Sequence, residues 1–93
     1  MGWQDDLKRL RERIDTVDEG ILRLLAERMA LSRRIGELKA REGLGVHDPK
    51  REQEILKERK EWARQYGLDE SFVVELFRLV MSESQRIQER WPS

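Results

Sequence analysis

The 93-residue chain carries 19 basic and 19 acidic residues, so its formal net charge is zero. A balanced charge argues against a protein that binds nucleic acid or another polyanion through bulk electrostatics. The chain has no cysteine and one histidine, His47, which excludes disulfide bonds, thiol chemistry and a histidine metal cluster. We expect one small domain over residues 1–93. The absence of an apolar signal region, and of any run of roughly 18 apolar residues, predicts a soluble cytoplasmic protein outside the membrane.

The first predicted helix runs from about residue 5 to residue 41. Its apolar residues are spaced by alternating threes and fours, which is the heptad pattern of a packed helix. These residues are Leu7, Leu10, Ile14, Val17, Ile21, Leu24, Leu31, Ile35 and Leu38. Arg28 stands where the pattern calls for another apolar residue. Gly43 and Gly45 predict the end of the helix.

Two shorter helices are predicted after it. Asp48 is a suitable N-cap and is followed by Pro49, so a second helix should run from there to about Tyr66, with Gly67 as its C-terminal cap. Asp69 can cap a third helix. The apolar residues at helical spacing are Ile55, Leu56, Trp62 and Ala63 in the second helix, and Phe72, Val73, Leu76, Phe77, Val80, Met81, Ile87 and Trp91 in the third. No strand pattern appears, so we predict an all-α protomer of three helices.

The length of the first helix predicts a dimer. A helix of about 36 residues is roughly 54 Å long, whereas a compact chain of this size has a radius of gyration of about 12 Å. Because the apolar stripe follows the whole helix, part of it must be covered by another chain. We therefore predict an intertwined homodimeric helical bundle in which the long helices pair.

Polar residues interrupt the apolar faces of all three helices. One face of the first helix carries Arg28, Ser32, Ile35 and Lys39, a face of the third carries Phe77, Met81, Ser84 and Gln88, and the second opens with Asp48, Arg51 and Glu52. Taken singly, Arg28 could set the helix register and Asp48 could be a simple cap. Taken together, these residues form a polar set whose cationic side chains outnumber the acidic side chains on the apolar faces. Because buried cations need anions, we expect a small anionic ligand.

Arg11 extends this set. It flanks the apolar stripe 17 residues before Arg28, or roughly 25 Å along the helix axis. Two side chains so far apart on one helix cannot hold one small molecule. Antiparallel pairing of the long helices would instead bring Arg11 of one chain to Arg28 of the other, which predicts two shared sites per dimer.

The combined pattern resembles the all-helical chorismate mutase family. The resemblance extends from about Leu7 to Gln88. Its motifs are LRERID with Arg11, LLAERM with Arg28, IGELKA with Lys39, HDPKRE with Asp48, Arg51 and Glu52, and SESQRIQ with Ser84 and Gln88. It implies an intertwined homodimer that rearranges chorismate to prephenate in the shikimate pathway of aromatic amino acid biosynthesis. No metal and no cofactor are implied.

The resemblance also implies a role for each polar residue. Arg28, Lys39, Arg51 and the partner's Arg11 would bind the two carboxylates of chorismate, and Ser84 would help to hold one of them. Lys39 and Gln88 would hydrogen-bond the ether oxygen, so the catalytic residues would be Lys39, Gln88 and Arg28. Glu52 and the backbone at Asp48 would take the ring hydroxyl. The apolar walls would be Ile35, Ile55 and Met81, while Gln85 and Ser32 are more polar than the family pattern.

Two other functions stay open. Isochorismate–pyruvate lyase uses a related helical dimer, and the segment ERKEWARQYGLDESFVVELF resembles that subgroup. Glu52 and Ser84 favour the mutase, because the lyase-type site lacks their equivalents. The other alternative is a non-catalytic helical module with a regulatory or interaction role, against which the complete set of polar positions argues.

Overall fold

A computed structural model describes residues 2–90, which form three α-helices and no strand. Helix α1 spans Trp3–Arg41, α2 spans Pro49–Gln65 and α3 spans Glu70–Arg90. The all-α prediction is confirmed, and α1 begins slightly earlier than the heptad pattern alone predicts. Trp91, which was expected to continue the apolar face of α3, lies outside the described residues.

Side-chain caps begin the two shorter helices, as predicted. Oδ1 of Asp48 accepts a hydrogen bond of 3.1 Å from the backbone N–H of Arg51. Oδ2 of Asp69 accepts one of 2.9 Å from the backbone N–H of Phe72. Each bond satisfies a backbone donor that has no partner within its helix, and Pro49 loses nothing at the first helical position because it has no N–H.

Glycines end α1 and α2. Gly43 and Gly67 both have a φ of 68°, in the left-handed region that a glycine adopts without strain. After α2, the N–H of Leu68 donates to the carbonyl of Ala63 at 2.8 Å, and the N–H of Gly67 donates to Arg64 at 3.2 Å. This pair of bonds is a Schellman motif, and the same pair follows Gly43 at the end of α1.

The chain divides into two compact units between Ala30 and Leu31. The second unit contains the last turns of α1 together with α2 and α3. Its buried apolar side chains are Ile55, Ala63, Val73 and Val80. All of them belong to α2 and α3, so the apolar core of this unit lies between those two helices.

The first unit is the N-terminal part of α1, and its apolar stripe is exposed. Leu10, Ile14, Val17, Ile21 and Leu24 have between 50% and 67% of their surface accessible. A continuous row of large apolar side chains is more than the scattered surface residues of an ordinary monomer, and such rows are typical of interaction surfaces. No helix within residues 2–90 has the length and apolar character needed to cross a membrane.

Candidate functional site

The backbone of α3 passes directly against Gly36 of α1. Gly36 is buried, and a Cβ atom built on it would lie 2.8 Å from Cα of Gln88 and 3.1 Å from the carbonyl oxygen of Gln88. Because a side chain cannot occupy that space, only glycine permits this separation of the two helices. The contact places Gln88 beside α1. Gly36 received no role in the sequence analysis, although a glycine inside a long helix is itself a signal of a close packing contact.

One helical turn before this contact, two serines meet across the same pair of helices. Oγ of Ser32 donates a hydrogen bond of 2.7 Å to Oγ of Ser84. Both residues are buried, with 5% and 7% of their surfaces accessible. The contacts Ser32–Ser84 and Gly36–Gln88 therefore form two successive rungs between α1 and α3, which run parallel here.

Gln88 carries a buried polar atom without a protein partner. Its Oε1 is inaccessible to solvent and accepts no hydrogen bond within residues 2–90. Leaving such a group unpaired costs about 1–3 kcal/mol, so it calls for an explanation. The end of an amide can present either its oxygen or its NH₂ group at the same place. Gln88 therefore offers a hydrogen-bonding position that a bound molecule could complete.

Lys39 lies on α1 three residues after Gly36, a rise of roughly 4.5 Å along the helix. It is half-buried, and its Nζ donates a hydrogen bond of 3.1 Å to the carbonyl oxygen of Val46. This bond ties the ammonium group to the segment that follows α1. It uses one of the three N–H donors of the lysine, so the group retains capacity to bind an acceptor.

The first turn of α2 brings together Asp48, Arg51 and Glu52. The carboxylate of Asp48 is occupied by the cap, while Arg51 is exposed and its Nη1 lies 3.9 Å from Oε2 of Glu54. Glu52 is half-buried, and its Oε1 lies 3.9 Å from Nδ1 of His47. The polar surface here therefore consists of an anchored acid, an exposed cation and a half-buried carboxylate.

Arg11 and Arg28 belong to the N-terminal part of α1. Arg11 is exposed and lines a shallow surface groove with Trp3, Leu7 and Asp15. Arg28 is half-buried, whereas Leu24 and Leu31, the apolar residues before and after it in the same pattern, are exposed. One continuous helix holds the two arginines 17 residues apart, so a single chain does not bring them together.

The predicted apolar walls differ in their burial. Ile55 is buried in the core between α2 and α3, Met81 is half-buried, and Ile35 is exposed. Gln85, which stands among them on α3, is half-buried and donates from Nε2 to Oε1 of Glu89 at 3.4 Å. Its amide is therefore engaged along α3.

Next to Ser84, the charge of Glu83 is balanced on the same helix. Nη2 of Arg86 donates to Oε2 of Glu83 at 3.0 Å. This side-chain hydrogen bond lowers the pKa of the Glu83 carboxyl and raises the pKa of the Arg86 guanidinium. The pair carries no net charge.

Arg59 is a further half-buried cation that the sequence analysis did not single out. Its side chain is 14% accessible, and its guanidinium lies 4.4 Å from the ring centre of Trp62 and 5.5 Å from that of Phe77. Attraction between the cation and the aromatic faces, together with an ion pair to Glu58, accounts for its burial between α2 and α3. We assign it to packing.

We expect Gly36→Ala to destabilise the protein. Helix propensity alone would make this change stabilising by about 1 kcal/mol. The overlap with the Gln88 backbone should reverse the sign and cost about 1–3 kcal/mol, measured as a lower melting temperature by circular dichroism. The matched control is Gly20→Ala, because the nearest atom to its added Cβ is Nη2 of Arg23 at 3.8 Å. An equal effect of both changes would contradict the packing role of Gly36.

Comparison with known proteins places this arrangement in a family. The sequence model of chorismate mutase type II matches residues 10–89. A chorismate mutase of Methanocaldococcus jannaschii is 28% identical over 94% of this chain and 88% of its own length. A 4-amino-4-deoxychorismate mutase of Streptomyces venezuelae is 33% identical over 96% of this chain and 86% of its own length.

A longer relative is similar over part of its length. The T-protein of Enterobacter agglomerans is 39% identical over 85% of this chain, and the chain spans about one fifth (21%) of that protein. The family match covers most of the chain and includes all the polar positions from Arg11 to Gln88. The chain therefore belongs to the chorismate mutase type II family.

Proposed function

We propose that this chain catalyses the rearrangement of chorismate to prephenate. Membership of the chorismate mutase type II family supports the reaction class. The observation that carries the proposal is the buried, unpaired amide oxygen of Gln88, held against α1 within one turn of Lys39. A buried amide without a hydrogen-bond partner does not stabilise the helical fold. A bound substrate can supply the missing hydrogen bond to Gln88.

The chemistry requires positioning more than reactive groups. The reaction is an intramolecular Claisen rearrangement in which the ether C–O bond breaks as a C–C bond forms. No nucleophile and no proton transfer are needed. The protein must hold a compact, chair-like conformer, and bidentate contacts of Arg28, Arg51 and the partner's Arg11 with the two carboxylates would do so.

Charge stabilisation would come from Lys39 and Gln88. Negative charge grows on the ether oxygen as the C–O bond breaks, and donors already aimed at that atom lower the barrier without reorganising. The hydrogen bond from Lys39 to Val46 would hold the ammonium group in place before the substrate arrives. Gln88 would supply the second donor by turning its NH₂ group toward the ether oxygen.

The remaining polar residues would orient the ring and the carboxylates. Glu52, which is half-buried, would accept the hydrogen bond of the ring hydroxyl with help from the backbone at Asp48. Ser84 would donate to a carboxylate. The side chain of Asp48 already caps α2, which agrees with a role for its backbone and leaves its carboxylate with a structural one.

A homodimer would complete the site. The exposed stripe from Leu10 to Leu24 offers a second copy of α1 a continuous apolar surface. Pairing of these stripes in antiparallel directions would carry Arg11 of one chain to the site of the other. Residues 1–93 would then act as one catalytic domain, and we infer a cytoplasmic enzyme.

A second substrate is favoured by one comparison. The Streptomyces venezuelae relative, matched over almost the whole chain, is a 4-amino-4-deoxychorismate mutase. The carboxylate of Glu52 could accept a hydrogen bond from an amino group as readily as from a hydroxyl. Isochorismate–pyruvate lyase activity remains the other catalytic alternative, because the segment from Glu58 to Phe77 resembles that subgroup.

A product assay separates these functions. Purified protein is incubated separately with chorismate, 4-amino-4-deoxychorismate and isochorismate, and the products are identified by chromatography and mass spectrometry. We expect prephenate from chorismate, at a higher kcat/KM than for the amino analogue. Pyruvate from isochorismate with chorismate unchanged would identify a lyase, and no reaction with any of them would leave a non-catalytic module.

Lys39→Ala should reduce catalysis far more than stability. By analogy with the loss of one oxyanion-hole donor, kcat should fall about 10²–10³-fold. The melting temperature should change only by the loss of one hydrogen bond, roughly 1 kcal/mol. Lys60→Ala, at an exposed position of α2, is the matched control and should leave kcat unchanged. Parallel losses of kcat and stability in Lys39→Ala would make Lys39 a structural residue.

Mixing two inactive variants tests whether Arg11 acts across the dimer. Arg11→Ala and Arg28→Ala chains are unfolded together and refolded, and kcat per chain is measured. If Arg11 comes from the partner, half of the dimers are mixed and each has one intact site, so activity should return to about a quarter of wild type. No recovery, or a monomer in sedimentation experiments, would contradict the shared site.

A further inference from the structure

His47 is a titratable side chain to which the proposed reaction gives no role. It is the single histidine of the chain and directly precedes Asp48, the N-cap of α2. At the start of a capped helix, the residue before the cap and the fourth helical residue often pack against each other. In α2 these two residues are His47 and Glu52. The apolar contact that is usual at this place is replaced by an imidazole and a carboxylate.

The two side chains lie within ion-pair distance of each other. Nδ1 of His47 is 3.9 Å from Oε1 of Glu52, and 62% and 39% of the surfaces of these side chains are accessible to solvent. A contact of this length and exposure is weak, and its strength depends on whether the imidazole is protonated. A carboxylate has two oxygens, so Glu52 can pair with His47 and still accept a hydrogen bond from a ligand.

The backbone on either side of His47 is held in place. Before it, the carbonyl oxygen of Val46 accepts a hydrogen bond of 3.1 Å from Nζ of Lys39. After it, the carboxylate of Asp48 is bound to the backbone of α2. Because both neighbours are anchored, His47 stays beside Glu52 at the start of the helix. The proposed function puts the ring substituent of the substrate between the backbone at Asp48 and the carboxylate of Glu52, which is next to His47.

His47 differs from the other charged residues around it in its response to pH. Within residues 39–52, the other charged side chains besides Glu52 are those of Lys39, Arg41, Glu42, Asp48, Lys50 and Arg51. Ser84 and Gln88, through which α3 meets α1, are uncharged. Lysine, arginine and carboxylate side chains ordinarily keep their charge between about pH 6 and pH 8, whereas a histidine side chain changes its charge in this range. The charge beside Glu52 that varies near neutral pH is therefore that of His47.

We propose that His47 determines specificity at the ring substituent: its positive charge beside Glu52 favours a ligand with a neutral hydroxyl over one with a protonated amino group. This inference rests on the proposed function. An aliphatic amino group is ordinarily protonated near neutral pH. When His47 is neutral, the carboxylate of Glu52 attracts such a cation more strongly than it attracts a hydroxyl. When His47 is protonated, the carboxylate is already paired and the imidazolium repels the amine.

The test compares two substrates at two pH values. For chorismate and 4-amino-4-deoxychorismate, kcat/KM is measured at about pH 6 and about pH 8, and the ratio of the two values is the selectivity for chorismate. At the lower pH, His47→Gln should reduce this selectivity about two- to fivefold, the range expected for an exposed ion pair. At the higher pH, where a histidine is mostly neutral, the same change should have little effect.

Comparing each variant with wild type at the same pH removes the effect of the ligand's own titration. If the amino analogue is not converted, its inhibition constant against chorismate conversion replaces its kcat/KM. Potassium chloride at roughly 0.5 M should reduce the difference between His47→Gln and wild type, because salt screens exposed charges.

Two control variants separate charge from shape. His47→Arg keeps a positive charge at both pH values, so at about pH 8 its selectivity should exceed that of wild type about two- to fivefold. Lys50→Gln removes a positive charge from an exposed position in the first turn of α2 and should leave the selectivity unchanged. Melting temperatures of all variants are measured alongside, and the change in selectivity should not follow them.

The outcomes distinguish the inference from the function on which it rests. The role of His47 is wrong if His47→Gln keeps the selectivity or loses it equally at both pH values, if Lys50→Gln has the same effect, or if no variant binds the amino analogue. Conversion of chorismate by wild type then still stands. If wild type neither converts chorismate nor binds prephenate in calorimetry, the proposed function fails and the inference fails with it. A loss in His47→Gln that is confined to the lower pH, with selectivity kept in His47→Arg, supports both.

Discussion

The close approach of α3 to α1 at Gly36 is the constraint on which the site depends. Packed helices are normally held apart by the side chains between them. At Gly36, no side chain lies between α1 and the backbone of α3. As a result, Gln88 lies against α1, Ser84 reaches Ser32, and both lie near the turn that carries Lys39. A methyl group at this position would separate the groups that the proposed reaction would bring together.

A single chain has few residues with which to form an apolar core. Charged residues make up 41% of it, and the buried apolar side chains among residues 2–90 lie between α2 and α3. The N-terminal part of α1 instead exposes its row of leucine, isoleucine and valine. We connect these facts through the proposed dimer, since the surface that a second chain would cover also carries Arg11. Assembly and completion of the site would then be one event.

Catalysis of this kind places an unusual demand on a small helical protein. The proposed mechanism uses fixed hydrogen-bond donors and cations. These polar groups must therefore be held in place before the substrate binds. The amide oxygen of Gln88 is an example, because it is buried and accepts no hydrogen bond within residues 2–90. The helix caps at Asp48, Asp69, Gly43 and Gly67 contribute stability away from those groups.

The sequence by itself determined the three helices, their caps and the membership of the family. These properties depend on local chemistry, such as the cap at Asp48, the left-handed glycine at Gly67 and the spacing of apolar residues, or on motifs read in order. The tertiary structure decided that Gly36 packs against the backbone of Gln88 and that Ser32 is hydrogen-bonded to Ser84. Those contacts join residues 52 positions apart, and their existence depends on a helix separation that no local pattern encodes. The partner's Arg11 requires a second chain, so its place in the site stays a prediction.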